Sequence, residues 1–397
     1  MARNALVLGG TSFFGRALVR RLLEGGADVT IATRSTTPDF FGDSVHRQTI
    51  DRSDVGHLNR LACLKAWDVV YDQICYSASD AKAACSAFNG SVGRYVLTSS
   101  VVVYDRAADR EETDFDASGF VEDPQHGLAS SATRRYAEGK KGAEAVFCRN
   151  ARFPFVAVRF PNVLGANDPS RRLEWHVERV KQGAHVFAPD HAVRQSLIWS
   201  EDAGRFLAWI GDQTYCGSVN AASMDPVAIG ELLEMIAAEA GRAVAYAGAP
   251  SNENLSPFGF GKDFTIKTQL AERLGFRFAR ASEWLPIVIR EHMSSGPLRS
   301  RDPGLNDVLA KMHRRQGITD QELDYLRLRI AQLERSSHRL EGPKGRSAGA
   351  FSSGLAALFD VVGICGVGTG SIRMPSTSSS SMTDAEKRGS AGGHRLS

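Results

Sequence analysis

The amino-acid sequence predicts an α/β fold: a doubly wound parallel sheet, a smaller C-terminal α/β subdomain, and a partly disordered tail. Three observations carry that expectation. Through the first half of the chain, short apolar runs alternate with longer stretches of helical periodicity, the pattern of successive βαβ units. The first apolar run breaks into a glycine-rich turn at Gly9 and Gly10, just before a helical stretch, where a strand-to-helix connection belongs. Beyond Gly342 the chain turns Gly/Ser-rich, with the run Ser378–Ser381, a composition that buries too little apolar surface to fold.

The elements follow in order. Ala5–Gly10 reads as a strand ending in a turn, and Phe13–Gly26 as a helix with Gly25 and Gly26 as its stop. Asp28–Arg34, Asp68–Ile74 and Arg94–Ser100 read as strands, Tyr136–Cys148 as a helix, and Phe155–Gly165 as a strand running into a loop. Helical patterns then fall near Leu173–Lys181, Ala203–Gly211 and Ala228–Gly241, with a last element at Lys267–Leu274. Leu323, Leu326, Ile330 and Leu333 make Leu305–Leu340 an amphipathic helix or helical hairpin. The division that results is a cofactor-binding domain over 1–165 and a substrate-binding subdomain over 166–295, interleaved with the same sheet. A helical extension over 296–341 and the tail over 342–397 complete it.

The bulk composition narrows the function. A chain of 397 residues, 43% of them hydrophobic, is ample for a buried core. Its net charge of +3 is too weak to supply a phosphate-tracking surface, so neither nucleic acid nor membrane is expected as a partner. The six cysteines are scattered without a CxxC pair, which argues against a structural zinc or a disulfide framework and for a reducing cytoplasm. Met1–Asn4 leads directly into a strand rather than a secretory signal, and the apolar stretch Leu355–Ile372 is broken by Asp360 and glycines. A small-molecule substrate is the expected partner, with no metal.

The turn Gly9-Gly10-Thr11-Ser12-Phe13-Phe14-Gly15 has the layout of a Rossmann-type dinucleotide loop. Such a loop turns sharply, lets the backbone approach the phosphates, and points amides at them from a helix N-terminus. Ser12 stands where a middle glycine is usual. An acidic residue at the end of the second strand would bind the ribose 2′-hydroxyl of NAD. Here Thr33 is followed by Arg34, a cation suited to a 2′-phosphate, so NADP is the expected cofactor and NAD the alternative. Further on, Tyr136 and Lys140 are four residues apart and share one helix face. A phenol is a poor base at neutral pH unless a cation stabilises its anion, and Lys140 is placed to be that cation.

Together GGTSFFG, TSSVVVY, YAEGK, RFPNVLG and RQSLIWSEDA resemble the extended short-chain dehydrogenase/reductase, or NAD-dependent epimerase/dehydratase, family over about residues 5–290. The resemblance implies that Tyr136 exchanges a proton with a substrate hydroxyl or carbonyl. It implies that Ser100, four residues before Tyr104, hydrogen-bonds the same oxygen, while Lys140 tunes Tyr136 and holds the nicotinamide ribose. It also implies an adenine contact at Asp51, substrate diphosphate contacts at Asn162 and Arg194, and a homodimer through helices flanking the site. The function implied is reduction or epimerisation of a sugar-nucleotide-like or other polar metabolite.

Departures from the family pattern bear on the chemistry. Val101 and Val102 occupy the places of the Asp-Glu pair found in the sugar 4,6-dehydratases, so elimination by that route is not expected. Ile74-Cys75-Tyr76-Ser77 replaces the usual His-x-Ala-Ala, altering the pocket wall near the nicotinamide. Cys75 reads as a buried structural thiol. His176, His185 and His191 lack ligand spacing and read as surface or packing residues, and Arg171 with Arg172 as a solvated charge pair, with a place lining the cleft mouth as the alternative. Two competing functions remain: an RNA-binding protein of the chloroplast stem-loop type, which the glycine turn also resembles, and an NADP-binding protein without turnover.

Overall fold

The computed structural model describes residues 2–35, 39–122, 131–251, 253–258 and 261–294. Strand β1 (Asn4–Leu8) leads through the glycine turn into α1 (Phe13–Glu24), then β2 (Asp28–Thr33), β3 (His46–Thr49) and α2 (Val55–Leu64). The chain continues through β4 (Val69–Asp72), α3 (Ala78–Phe88), β5 (Tyr95–Ser100), α4 (Ala132–Asn150) and β6 (Phe155–Phe160). Next come β7 (Asn162–Leu164), α5 (Arg172–Gln182), β8 (Arg194–Gln195), β9 (Leu197–Trp199), α6 (Ser200–Gly211) and β10 (Gly217–Asn220). The described part ends with β11 (Val227–Ala228), α7 (Ile229–Ala240), α8 (Gln269–Arg273) and α9 (Ala281–Ser294).

Among the described residues, seven strands form one parallel sheet in the order β10-β6-β5-β4-β1-β2-β3. The order reverses between β1 and β4, which opens a crevice at their carboxyl ends. Alternation along β1 sets the layers. Leu6 and Leu8 enter one core with Leu58, Phe88 and Phe147, while Ala5 and Val7 face the opposite core with Leu18, Phe206 and Ile210. Both faces are covered at the centre of the sheet, so β1, β4 and β6 read as nearly unbroken apolar runs, whereas the edge strand β3 is polar and exposed. Each such buried Leu or Val contributes about 1.5–3 kcal/mol.

A third core gathers Leu164, Leu173, Val177, Leu233, Trp284 and Val288 around α5, α7 and α9; this is the smaller subdomain. The interleaving is specific. Strand β10, from the second half of the chain, pairs with β6 through Val219 and Val158, and Gly204 of α6 lets that helix approach Ala17 and Leu18 of α1 closely.

Two elements differ from the sequence expectation. Helix α4 begins at Ala132, four residues earlier than expected, with Ser131 Oγ accepting from Arg134 N at 3.3 Å. Its polar first turn shows no apolar periodicity, but the serine cap supplies the missing backbone partner. The Lys267–Leu274 element shrinks to the five residues of α8, because Phe264 and Ile266 are held by isolated bridges to Gln195 and Arg110. The expected helical extension and tail lie outside the described residues. Among the described residues no helix is long and apolar enough to cross a membrane, and the cysteines are free.

Candidate active site

The glycine turn lies at the crevice between β1 and β4. Gly9 and Gly10 hold φ of +103° and +91°, a region open to glycine at little cost. Ser12 has φ −139° and ψ 149°, extended backbone that any residue adopts, which is why serine can stand there. The first turn of α1 carries no acidic residue and Ser12 makes no side-chain cap, so the positive helix end is unopposed. Gly15 faces β4: a Cβ there would overlap Oε1 of Gln73. The Gln73 Nε2 is buried and has no hydrogen-bond partner among the described residues, a costly state for an amide donor. Helix N-terminus, glycine backbone and a spare buried donor together suit an anionic diphosphate, so Gly9, Gly10, Thr11, Ser12, Phe13, Phe14 and Gly15 fit a dinucleotide.

At the neighbouring strand ends, Arg34 is exposed just past β2. Asp51 lies past β3, with its Oδ1 accepting from Ser53 N at 2.9 Å and Ser53 Oγ at 2.6 Å. Those bonds, with the nearby Arg34 charge, hold the Asp51 carboxyl below its usual range. Arg34 and Asp51 lie just past the ends of the paired strands β2 and β3.

Ser100 ends β5, and its Oγ accepts from Val102 N at 3.4 Å. Burial pushes the nearby Tyr136 phenol up, opposed by the Ser100 hydroxyl and by the Arg172 guanidinium. Tyr136 keeps 38% of its surface exposed, which leaves it open to the cleft. Lys140, one helical turn on, is 2% exposed. Its Nζ donates to the Cys75 and Thr98 carbonyls at 2.7 Å each and lies 5.8 Å from the Tyr136 ring centroid. Burial pushes its ammonium down, countered by surrounding negative partners such as Asp72 and Glu144. The thiol of Cys75 is buried and pushed well up by that burial, so it remains a protonated structural group.

Beneath Ser100, Tyr136 and Lys140 runs a buried polar network. Arg159 Nη2 lies 2.6 Å from Glu144 Oε2, with each side chain 1% exposed. Arg159 Nη1 donates to Tyr104 Oη at 2.7 Å, and Tyr104 donates to Asn220 Oδ1 at 2.7 Å. Ser99 donates to the same Glu144 carboxylate. Successive residues of a strand face opposite sides, so anchoring Ser99 inward turns Ser100 toward the cleft.

On the subdomain side the candidate substrate residues take different partners. Asn162 Nδ2 donates to Gln195 Oε1 at 3.2 Å, and Gln195 Nε2 to the Phe258 carbonyl at 3.0 Å. Arg194, next in β8, is exposed, with its Nη2 donating to the Pro226 carbonyl at 2.9 Å. The expected Arg171–Arg172 charge pair is corrected by the fold. Arg171 binds Glu174 at 2.8 Å and Glu178 at 3.2 Å, whereas Arg172 opens α5 and acts on the Tyr136 phenol. His176 is wholly buried packing: Nδ1 is 2.7 Å from the Arg172 carbonyl and Nε2 is 2.9 Å from Ser256 Oγ. A carbonyl only accepts, so Nδ1 carries the proton and Nε2 accepts from Ser256. Burial lowers its pKa to about 4.

Sequence reasoning missed Gln73 and the approach of Arg172 to Tyr136. The position of Gln73, immediately after a strand at the carboxyl edge, was the available signal; for Arg172 the sequence suggested at most a place at the cleft mouth, not its neighbour, which lies on another element.

Comparison with known proteins bears on this arrangement. The model of the NAD dependent epimerase/dehydratase family matches residues 5–220. No curated protein matches the chain. UDP-glucose 4-epimerase of Thermus thermophilus, solved with NAD, is similar with a TM-score of 0.60 at 18% identity, covering 74% of this chain and 100% of its own. UDP-N-acetylglucosamine 4-epimerase from Methanobrevibacter ruminantium M1, solved with UDP-N-acetylmuramic acid, gives 0.56 at 16%, covering 74% and 99%. The dTDP-glucose 4,6-dehydratase DesIV from Streptomyces venezuelae gives 0.58 at 18%, covering 73% and 97%. At these identities the structural likeness establishes the fold.

Proposed function

The chain belongs to the NAD dependent epimerase/dehydratase family, and on that premise we propose that it is an NADP-dependent reductase or epimerase of a sugar-nucleotide-like metabolite. The observation that carries the reading is the buried Lys140 ammonium 5.8 Å from the Tyr136 ring centroid, with Ser100 at the carboxyl end of β5. Gly9 to Gly15 and the Gln73 amide would hold the dinucleotide diphosphate, and Arg34 the 2′-phosphate. The nicotinamide would supply hydride chemistry when bound. The protein's part is proton handling. Tyr136 gives its phenolic proton to, or takes one from, the reacting substrate oxygen, Ser100 donates to that oxygen, and Lys140 favours the phenolate.

Val101 and Val102, in place of a carboxylate pair, support transfer without elimination of water. Asn162 and Arg194 are assigned to substrate phosphates, with the Arg172 charge close enough to the Tyr136 phenol to help hold an anionic group. Two copies joined along the helices that flank the site would complete the family-like assembly.

The test is direct. One portion of the purified protein is denatured to release bound dinucleotide, and a second, folded portion is assayed for NADPH oxidation and for interconversion of UDP-hexoses, alongside Tyr136→Phe. We expect cofactor binding by both proteins and turnover by the wild type alone. Turnover surviving in Tyr136→Phe sinks the catalytic assignment; cofactor binding without turnover on any carbonyl or sugar-nucleotide substrate would favour a non-catalytic binder.

A further inference from the structure

We propose that Tyr76 is a positioning residue of this site, its ring serving as the cover that keeps water from the Lys140 ammonium. The inference rests on the assignment of Tyr136 and Lys140 made above.

Lys140 Nζ lies 4.9 Å from the Tyr76 ring centroid, within the range where an aromatic face attracts a cation. Two of its three N–H groups are taken by the Cys75 and Thr98 carbonyls. Tyr76 is itself 51% exposed while Lys140 is 2% exposed. The ring therefore has one face toward water and the other toward the cation. Its centroid is 6.4 Å from that of Tyr136, with the planes at 48°, so the two phenols flank a single ammonium.

The backbone of Tyr76 is held for this purpose from three sides. Tyr76 N donates to Asp80 Oδ2 at 2.9 Å. Ser77 caps α3 by accepting from Asp80 N at 3.1 Å. Gly139, inside the Tyr136–Lys140 turn, lies so close to the Tyr76 carbonyl that a side chain there would overlap it. The catalytic turn of α4 and the residue that covers it are thus fitted to each other.

Exclusion of water has a chemical consequence. The field of a unit charge weakens as the surrounding dielectric rises, so a hydrated Lys140 would support the Tyr136 phenolate less. The charged and titratable groups facing this cluster come from several elements. Asp72 of β4, Cys75, Glu144 of α4 and Arg52 act on Lys140. Ser100 and Arg172 act on Tyr136, and Tyr136, Asp72, Arg52 and Asp80 on Tyr76. Two of these groups are rings beside Lys140: Tyr136 is the assigned proton-transfer group, and Tyr76, the nearer to Nζ and the more exposed, is the cover.

The experiment uses the full chain and trace acylation with acetic anhydride, read by mass spectrometry at Lys140 with Lys65 and Lys141 as internal controls. Tyr76→Ala should raise labelling of Lys140 roughly tenfold or more over the controls, as expected when local protection is removed. Tyr76→Phe should retain wild-type protection, since it keeps the ring. In a turnover assay the alanine variant should also move the basic limb of the pH profile upward, with phenylalanine again restoring it. Equal Lys140 labelling in wild type and Tyr76→Ala, or a Phe variant that labels like Ala, overturns the proposal. Tyr76→Val carries the same comparison if the alanine variant does not fold. Because labelling needs no substrate, absence of turnover in the wild type would count against the proposed function and leave this result standing.

Discussion

Gly139 of α4 lies directly against the main-chain carbonyl of Tyr76, in the space where any other residue would carry its Cβ. Helix propensity alone favours alanine over glycine by about 1 kcal/mol. We expect the opposite sign here: Gly139→Ala should destabilise by about 1–3 kcal/mol, because the neighbour in the way is backbone rather than a flexible side-chain tip. Urea unfolding of the two proteins decides it. A more stable alanine variant would mean that the Tyr76 segment yields freely.

The Arg159–Glu144 pair gives a larger expectation. Glu144→Gln removes the charge that offsets a guanidinium with almost no exposed surface, and truncating one partner of a buried pair costs about 3–5 kcal/mol. The new NH2 group would also leave either Ser99 or Ser218 without its acceptor, since the two bind different oxygens of Glu144. Denaturant midpoints measure the loss, and a change within a few tenths of a kcal/mol would show that the network is hydrated.

Cofactor choice is tested at Arg34. Arg34→Asp should weaken NADPH binding far more than NADH binding, because a carboxylate repels the 2′-phosphate while accepting from a ribose hydroxyl. Fluorescence titration with both dinucleotides reads it, and equal effects would remove the basis for NADP. The Arg34 charge acts on Asp51, so Asp51→Asn should shift the balance further toward the phosphorylated cofactor.

His176 predicts a pH dependence of stability. Its folded pKa is lowered to about 4 from 6.5, so below pH 6.5 the unfolded chain takes up a proton that the folded chain refuses. The stabilising contribution is therefore complete above pH 6.5 and is lost as pH falls toward 4, on the order of 3 kcal/mol in all. Unfolding midpoints at pH 7.5, 5.5 and 4.5 should fall more steeply in the wild type than in His176→Gln. Parallel curves would place the titration elsewhere.

The sequence alone determined what is written in local periodicity and spacing. The alternation of apolar runs with helical stretches gave the parallel sheet. The glycine turn followed from its place between strand and helix, and a four-residue step put Tyr136 and Lys140 on one face. Each depends on neighbours in the chain, so each could be read without knowing the fold. What lies opposite those residues could not. The close approach of Gln73 to Gly15, the ring of Tyr76 over Lys140, the Arg172 charge at Tyr136 and the engagement of Asn162 by Gln195 all join separate elements. So does the pairing of β10 with β6. A helix face has an orientation in sequence but acquires a partner only when distant strands and helices pack together, and that packing was decided by the tertiary structure.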